Sequence, residues 1–469
     1  MTIPMPAPAP EAILERIGAA GDQSLLNTFV RIERAGVGMT PRGRYYHWDR
    51  LRHLTPPKGL TAEEWWLGVK MARRGVLREL PLTDAEGRAF RYCVPDEAQQ
   101  LVHYIDQHAS GEIKMPEVVI DTAGARNHYL VNSLIEESIR SSQLEGATTT
   151  YAVAKDMIRT GRQPKDRSER MILNNFRAME FMLSEVGSGL TSEFVLELHR
   201  VITEGTLANP DAAGRLQRPD EERIVVGDRT DGSIVHRPPP AEQLPERLDR
   251  FCAFANGGSR GSGFLHPVVR AILLHFWLAY DHPFEDGNGR TARAIFYWSM
   301  ATQGYWLTEY LSISRILRQA PARYMRSFLE TETDEGDTTY FILHHLGVIK
   351  RAIEELHAYL QRKIQDIREV EDIIRGSDSF NYRQLALLSN SLRQPDQRYT
   401  FRSHALSHRV THETARHDLL RLSRLGLLVR GKAGRQFVFR PALDLAQKLA
   451  DHRASRIDMD TAAVTPIER

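Results

Sequence analysis

The sequence lacks several features that would mark an exported or membrane protein, beginning with cysteine. Its 469 residues include only Cys93 and Cys252. Both stand among apolar neighbours, so we expect neither a disulfide framework nor a cysteine zinc site, and a reducing compartment suits the chain. The longest apolar run is interrupted by Arg270, His275 and Asp281, which argues against a membrane span. The first residues show no secretory pattern, so the cytoplasm is the expected location.

The length and the composition indicate a globular protein of two or three domains. Hydrophobic residues make up 42% of the 469 positions, an ordinary share, while the length exceeds that of a single usual core. Helical patterns predominate, so the predicted fold class is mainly α. The predicted segments are an N-terminal part with helices and short strands at 1–115, a helical core at 116–350, a connecting helix at 351–376, a basic domain at 378–445 and a tail at 446–469.

A nine-residue string, HPFEDGNGR from His282 to Arg290, carries the most specific chemistry in the sequence. The apolar runs at 264–281 and 291–303 predict two helices buried nearly all round. The string is therefore a loop between core helices, with Gly287–Gly289 at the N-terminus of the second. Free backbone N–H groups and the helix dipole favour anions there, and glycines let a phosphate approach closely. The pattern predicts phosphate chemistry.

The residue types in this loop suit the parts of a phosphoryl-transfer site. The imidazole of His282 can accept a proton from an attacking hydroxyl near neutral pH. Asp286 is a hard oxygen ligand of the kind that Mg²⁺ prefers, and Asn288 with neighbouring amides can stabilise charge on a transferred group. Arg290 and Arg293 share one face of the helix start and can bind the distal phosphates. The alternative, a solvated loop whose histidine caps a helix, suits a lone histidine better than this whole string.

The string from His282 to Arg293 resembles the signature of the Fic/Doc family, HPFx(D/E)GN(G/K)RxxR, at every position. The resemblance covers roughly 120–345 and implies a Fic-type helical core. It also implies a small β-hairpin flap at 223–240, where β-branched runs flank Asp231–Gly232. The implied activity is transfer of AMP from ATP to a Ser, Thr or Tyr hydroxyl of a protein target. In that reaction His282 is the base and Asp286 holds Mg²⁺.

The resemblance further implies which residues bind the nucleotide. They are Val226 and Gly227 of the flap, Gly287, Asn288, Gly289, Arg290 and Arg293 of the loop and its helix, and Tyr324. Gly289 stands where the kinase branch of the family has lysine, which argues against kinase chemistry. Transfer of UMP or phosphocholine, removal of AMP, and homodimerisation stay open.

A second motif, Ser141-x-x-x-Glu145-Gly146, lies upstream of the core. Helical periodicity over about 127–147 places Ser141 and Glu145 on one face, with Gly146 as the last residue of the helix. The motif resembles the inhibitory pattern (S/T)xxxE(G/N) of Fic proteins. The resemblance implies that Glu145 pairs with Arg293 and takes the guanidinium that the γ-phosphate of ATP needs. An ordinary exposed glutamate before a glycine cap is the alternative.

The segment from Arg398 to Arg440 is strongly basic, with nine Arg and one Lys against two acidic residues. Its formal charge is +8 in a chain of +2, so the remainder carries −6, an asymmetry typical of nucleic-acid binding. The pattern predicts a helix, a turn, and a second helix with Thr411 as its N-cap and Gly426 after its end. A hairpin follows, with its tip at Gly431–Gly434.

This basic segment resembles a winged helix-turn-helix, which implies DNA binding. The residues expected to contact DNA are Arg416, Arg421, Arg424, Lys432 and Arg435. Winged helices also bind proteins, so a protein-interaction domain is an alternative. Two functions therefore compete: an autoinhibited AMP-transferase with an accessory winged helix, and a DNA-binding transcriptional regulator whose Fic core senses nucleotide. The intact loop favours the enzyme, because a sensor has no chemical need for the base, the metal ligand and both arginines together.

Overall fold

The computed structural model describes residues 3–19, 21–109, 123–227, 234–257, 263–305, 308, 311–374, 380–393, 397–433, 436–445 and 447–449. Within these ranges the chain is mainly helical, as the sequence predicts, and its strands form antiparallel pairs. None of the helices in these ranges is long and apolar enough to cross a membrane. 

The elements up to the flap are α1 (Pro10–Gly18), α2 (Asp22–Arg34), α3 (Trp48–Leu51), α4 (Ala62–Arg74), β1 (Arg78–Thr83), β2 (Ala89–Tyr92), α5 (Asp96–Ala109), α6 (Ala123–Leu144), α7 (Tyr151–Thr160), α8 (Arg167–Ser184), α9 (Ser192–Thr203), β3 (Val226–Gly227) and β4 (Ile234–His236). The later elements are α10 (Leu244–Ala255), α11 (Pro267–Asp281), α12 (Asn288–Thr302), α13 (Ile313–Gln319), α14 (Pro321–Glu332), α15 (Thr339–Ile374), α16 (Tyr382–Arg393), α17 (Phe401–His408), α18 (His412–Arg424), β5 (Leu428–Ala433) and β6 (Gln436–Pro441).

Helices α11 and α12 form the centre of the fold and confirm the two helices predicted around the loop. Almost every residue of both is buried, as their apolar composition requires. α11 begins at Pro267, later than predicted, because proline suits the first turn and His266 accepts a hydrogen bond from the Val268 N–H at 3.4 Å. α12 begins at Asn288, within the stretch Gly287–Gly289 that the sequence places at its N-terminus, since Gly287 takes a φ of 86° that turns the chain into the helix.

The surrounding helices share one hydrophobic core with this pair. α6 packs on α8 and α13, α9 packs on α8 and α12, and α12 contacts both α6 and α8. α15 is a single helix from Thr339 to Ile374, so the connecting helix predicted at 351–376 is the later part of a longer element. Its first turns carry the buried side chains of Phe341, Ile342 and Leu346, which extend the helix into the core.

The N-terminal helices gather around an apolar cluster of their own. The tryptophans of this cluster are Trp48, Trp65 and Trp66. Lys70 of α4 is buried and donates to Asp334 at 2.7 Å, which ties this cluster to the end of α14. β2 pairs with β1 in an antiparallel arrangement. The predicted boundary at 115–116 lies outside the described residues.

A separate apolar core occupies the C-terminal part, between Phe380 and Leu449. α16, α17 and α18 are followed by the β5–β6 hairpin, and Tyr399 pairs with Phe439 of β6. The predicted second helix is confirmed as α18, with the Thr411 side chain accepting from the Thr414 N–H. Residues 380–449 are called the C-terminal domain below.

Two details of the C-terminal domain differ from prediction. Strand pairing continues to Ala433 and Gln436, so Gly431 lies inside β5 opposite Val438 and not at the tip of the hairpin. Leu449 is buried in the domain's core, beyond the predicted end at 445. Ala442, Leu445 and Leu449 all follow β6 and are buried in this core, so the domain continues past residue 445.

Candidate active site

The loop between α11 and α12 is held in shape by its own polar groups. Asn288 is 2% exposed, and its amide accepts from the Phe284 N–H at 2.9 Å and donates to the Phe284 carbonyl at 2.8 Å. Gly287 has no room for a side chain, because a Cβ would lie 2.8 Å from Thr203 Cγ2. The Asn288 amide therefore shapes the loop, and its predicted contact with a transferred phosphate would compete with these two bonds.

His199 on α9 supports the loop from outside, a role that the sequence did not reveal. Its ring stacks on Phe284 with centroids 3.8 Å apart. Nδ1 accepts from the Gly214 N–H at 3.0 Å, so Nε2 carries the proton and donates to the Asp286 carbonyl at 2.9 Å. Burial lowers the pKa of His199 to about 4, which keeps this neutral tautomer. Its signal in the sequence was the segment from His199 to Gly205, HRVITEG, which resembles a segment that precedes the catalytic loop in Fic/Doc proteins.

His282 ends α11 in the left-handed region, with a φ of 45°. Its half-buried imidazole makes a long hydrogen bond of 3.4 Å from Nδ1 to the Ala279 carbonyl. A proton on Nδ1 leaves Nε2 as the acceptor. Burial, and secondarily the positive charge of His236, lower the pKa of His282 to about 4. The imidazole is therefore neutral at physiological pH, the state a general base requires.

The flap is fastened to the end of α11 at both of its sides. Arg223 donates to the Asp281 carbonyl at 2.8 Å and to the His282 carbonyl at 3.2 Å. His236 of β4 contacts the Tyr280 carbonyl at 2.7 Å and Glu332 at 3.0 Å. Burial alone would lower the pKa of His236, but these two acceptors raise it.

The strands of the flap are shorter than its predicted span. Val226 pairs with His236, and Gly227 pairs with Ile234. The predicted nucleotide residues Val226 and Gly227 thus lie in β3, while the predicted turn at Asp231–Gly232 lies outside the described residues. 

Two guanidinium groups lie buried at the start of α12. Arg290 is 0% exposed and donates to the Ile202 carbonyl and to Asp286 Oδ1, each at 3.3 Å. Arg293 is 1% exposed and donates from Nε to Ser141 Oγ at 2.8 Å. Among the described residues, Arg290 Nε and Arg293 Nη1 have no hydrogen-bond partner. Buried donors of this kind are costly unless an acceptor reaches them, so the site retains capacity for an anion.

Asp286 is the carboxylate of the loop. Its Oδ1 accepts from the Gly287 N–H at 2.5 Å and its Oδ2 from Arg167 at 3.1 Å. Its side chain is 38% exposed, so a cation from solvent can reach it. No cluster of three or more potential metal-binding side chains occurs in the described ranges. One carboxylate nevertheless fits Mg²⁺, which takes its other ligands from phosphates and water.

The second motif meets the loop at Arg293. α6 ends at Leu144, and Glu145 follows it directly, with Oε1 2.8 Å from Arg293 Nη2. Burial, the largest single effect, lowers the pKa of the Arg293 guanidinium, but the charge and hydrogen bond of Glu145, together with Tyr324 and Glu137, raise it overall. Gly146 takes a φ of 101° two positions after the helix end, so it is not the helix's last residue as predicted. The backbone leaves the helix at Glu145, which lets its side chain turn toward α12.

Glu137, two turns before Glu145 on α6, is a buried residue that the sequence did not single out. It accepts from Ser312 Oγ at 2.9 Å and from the Ser314 N–H at 3.1 Å. These bonds anchor α6 to the start of α13. The signal for it was the four-residue spacing of Glu137, Ser141 and Glu145, which places all three on one face.

Tyr324 lies in the core close to Arg293 and not on an open pocket wall. Its side chain is 8% exposed, and its hydroxyl is 3.0 Å from His275 Nε2. The predicted contact with a nucleotide would therefore need the neighbouring side chains to move.

Comparison with curated proteins connects this site to known relatives. The protein adenylyltransferase Fic of Nematostella vectensis is 29% identical over 161 residues, which cover 33% of this chain and 34% of that protein. The protein of the same name from Drosophila yakuba is 26% identical over 229 residues, which cover 48% of this chain and 43% of that protein. The chain thus spans less than half the length of these relatives.

Comparison with solved structures finds Fic proteins as well. A Fic family protein from Desulfovibrio desulfuricans G20 superposes with a TM-score of 0.47 at 19% identity, over 75% of this chain and 97% of that one. Fic-1 (residues 134–508) from C. elegans gives 0.41 at 18% identity, over 55% and 71%. At the level of sequence families, residues 189–300 match the Fic/DOC family. This matched region, 189–300, contains the loop from His282 and both buried arginines.

Proposed function

We propose that this chain is a protein adenylyltransferase, which transfers AMP from ATP to a Ser, Thr or Tyr hydroxyl of a protein target. One observation carries the proposal. The site combines a neutral His282, a start of α12 without a side-chain cap, and two buried guanidinium groups with unused donors. A triphosphate is a ligand that satisfies such donors. Relatives named protein adenylyltransferase Fic support the same reaction. The reaction would take place in the cytoplasm, where the free Cys93 and Cys252 stay reduced.

In the proposed reaction, the target hydroxyl gives its proton to Nε2 of His282 while its oxygen bonds to the α-phosphorus of ATP. The bond from the α-phosphorus to the oxygen bridging to the β-phosphate breaks, and pyrophosphate leaves. Arg290 and Arg293 neutralise charge on the leaving phosphates, and the first N–H groups of α12 face the transferred group. Asp286 would hold Mg²⁺, which supplies further positive charge beside the phosphates.

The proposal includes autoinhibition by Glu145. While Glu145 occupies Arg293, that guanidinium is withheld from the γ-phosphate. If the pair favours the closed state by about 2 to 3 kcal/mol, the competent fraction is about 1%. Ser141 holds the guanidinium in place, because its hydroxyl and carbonyl both accept from Arg293.

The test uses the purified full chain with Mg²⁺ and ATP labelled on the α-phosphate, with self-labelling as the readout. We expect Glu145→Gly to raise labelling by about one to two orders of magnitude. Glu145→Gln, the matched control, keeps the side-chain volume and should give a smaller rise. The double variant Glu145→Gly with His282→Ala should be inactive, since general-base removal costs about 10²- to 10⁴-fold. Arg293→Ala alone should not gain activity, because the γ-phosphate contact is lost with the inhibitor's partner.

The outcomes separate the parts of this proposal. Equal labelling by the wild type and Glu145→Gly, at saturating and at low ATP, contradicts autoinhibition. No labelling by either protein contradicts AMP transfer onto itself, and a cell extract then serves as the source of targets. Label that enters from γ-labelled ATP would indicate kinase chemistry, and preferential use of UTP would indicate UMP transfer. Loss of AMP from a labelled target on adding the wild type would indicate AMP removal.

A second function, nucleic-acid binding, is supported by the exposed basic face of the C-terminal domain. Arg416 and Arg424 of α18 are exposed, as are Arg430 and Lys432 of β5. The charged groups of the last two lie 5.1 and 5.7 Å from the centroid of the Phe437 ring. Such cation–aromatic pairs occur where proteins contact phosphates and bases. Arg421 is half-buried, and Arg435 lies outside the described residues.

Salt dependence tests this second function. The full chain should bind duplex DNA much more weakly at about 200 mM salt than at about 50 mM. The logarithm of the binding constant should fall with the logarithm of the salt concentration, with a slope of about −0.9 per neutralised phosphate. The double variant Arg430→Ala with Lys432→Ala should make the slope shallower by about two such steps. A flat response would leave a protein partner as the occupant of this face. A regulator that only senses nucleotide would bind DNA equally well after His282→Ala and show no AMP transfer.

A further inference from the structure

The C-terminal domain packs directly on the helix that precedes Glu145. α17 contacts α6 and α7, and α16 also contacts α6. Leu406 of α17 packs against the large core that α6, α8 and α12 share. One apolar side chain of the C-terminal domain is therefore part of the packing of the Fic-containing core.

Polar contacts reinforce this interface at α7. Arg159 donates to Ser407 Oγ at 3.0 Å, and burial lowers the pKa of its guanidinium. The guanidinium of Arg402 lies over Gly161, the residue after α7, so closely that a Cβ at Gly161 would overlap it. Gly161 also takes a φ of 65°, a conformation that side chains rarely adopt. Because Gly161 has no side chain, the end of α7 has space for the guanidinium of Arg402 from α17.

Helix α6 is held by two sets of contacts. On the side of the active site, Glu137 binds α13 and Glu145 binds Arg293. α17 of the C-terminal domain contacts it as well. A helix held by two sets of contacts moves only when one set opens, because packed cores are not continuously deformable.

We propose that the C-terminal domain is a clamp on α6 that stabilises the inhibited state of the transferase. Loosening α17 from α6 and α7 lets α6 shift, separates Glu145 from Arg293 and raises activity. The inference rests on the proposed function, and it assigns the regulation of that site to a second domain of the same chain.

The test weakens the clamp without disturbing either core's centre. Leu406→Ala removes the apolar contact and keeps a strong helix former in α17, while Ser407→Ala removes the acceptor of Arg159. We expect Leu406→Ala to raise AMP labelling by about three- to tenfold, and Ser407→Ala by less. His417→Ala on the exposed face of α18 is the matched control and should leave labelling unchanged. In the Glu145→Gly background, Leu406→Ala should add nothing.

Hydrogen exchange provides a readout that does not depend on activity. In the full chain, Leu406→Ala should increase amide exchange over 134–147, while exchange in β5 and β6 stays as in the wild type and shows that the C-terminal domain is folded. Unchanged exchange together with unchanged labelling overturns the clamp. A gain from Leu406→Ala that persists in the Glu145→Gly background overturns it too, because the effect then bypasses the inhibitor. If Glu145→Gly labels neither itself nor any protein of a cell extract, the proposed function is refuted, while the exchange experiment still tests the clamp.

Discussion

Gly289 makes room for the inhibitory glutamate, and replacing it tests the inhibition without changing either member of the ion pair. Gly289 lies in the first turn of α12 with an ordinary negative φ, so alanine fits the backbone and favours the helix. A Cβ at this position would lie 2.9 Å from the carboxylate carbon of Glu145 and 3.0 Å from Arg293 Nη1. Carbon atoms in contact need about 3.5 to 4.0 Å. The carboxylate must therefore withdraw in Gly289→Ala.

The size of the effect follows from the burial of the pair. The side chain of Arg293 is 1% exposed and that of Glu145 is 28% exposed. Removing one partner of a fully buried pair costs about 3 to 5 kcal/mol. Arg293 keeps its two bonds to Ser141, and Glu145 is partly solvated, so we take about 2 kcal/mol for the loss. That corresponds to a factor of about 30 between the closed and the open state.

The assay compares AMP labelling by the wild type, Gly289→Ala, Glu145→Gly and the double variant. We expect Gly289→Ala to label at least about tenfold more than the wild type. The double variant should match Glu145→Gly, since the methyl group has nothing left to displace. Reduced labelling by Gly289→Ala, both in the wild type and in Glu145→Gly, would refute the reasoning. The glycine would then serve only to let the phosphates of ATP come close to the backbone. Thermal melting of all four proteins confirms that each is folded.

Three further predictions follow from the charges of the site. Because burial lowers the pKa of His282 to about 4, kcat/KM of Glu145→Gly at excess Mg²⁺ should stay constant from about pH 8 to 5.5, and a fall centred near 6.5 would contradict a neutral base. Arg167→Ala should lower the Mg²⁺ concentration for half-maximal activity about two- to threefold, since Arg167 occupies Asp286; no change would mean that the pair does not compete with the metal. Several buried histidines have lowered pKa values. Below about pH 6.5 the unfolded chain therefore binds protons that the native chain does not, so the melting temperature should fall between pH 7 and 5. Equal melting temperatures at the two pH values would contradict this. These histidines are His47, His199, His275, His282, His344 and His345.

The sequence predicted correctly the helices and caps that depend on residues close together in the chain. The loop from His282 to Arg290 stands between two apolar runs, and each run is buried on every side, so composition alone predicts α11 and α12. α18 and its Thr411 cap follow from a local pattern in the same way. The start of α11 was predicted less accurately, because Pro267 sets it through its fixed φ at the first helical position.

The support of the loop depends on contacts that no local pattern encodes. His199 reaches the Asp286 carbonyl across 87 positions, and Glu137 reaches Ser314 across 177. A polar residue on a helix is more often solvated than buried, so the sequence gives no reason to place either one inside. The contact of Glu145 with Arg293, 148 positions apart, was predictable only through the resemblance to the family's motif.

The burial of Arg293 determines how inhibition and substrate binding relate to each other. A guanidinium that is 1% exposed needs an anionic partner in every populated state, since an unpaired buried charge is costly. Glu145 supplies that partner in the closed state, and a phosphate of ATP would supply it in the open state. The exchange of one anion for another costs less than breaking a pair outright. A few contacts on α6, such as those of Glu137 and Leu406, can therefore decide which anion Arg293 holds, although neither residue touches it.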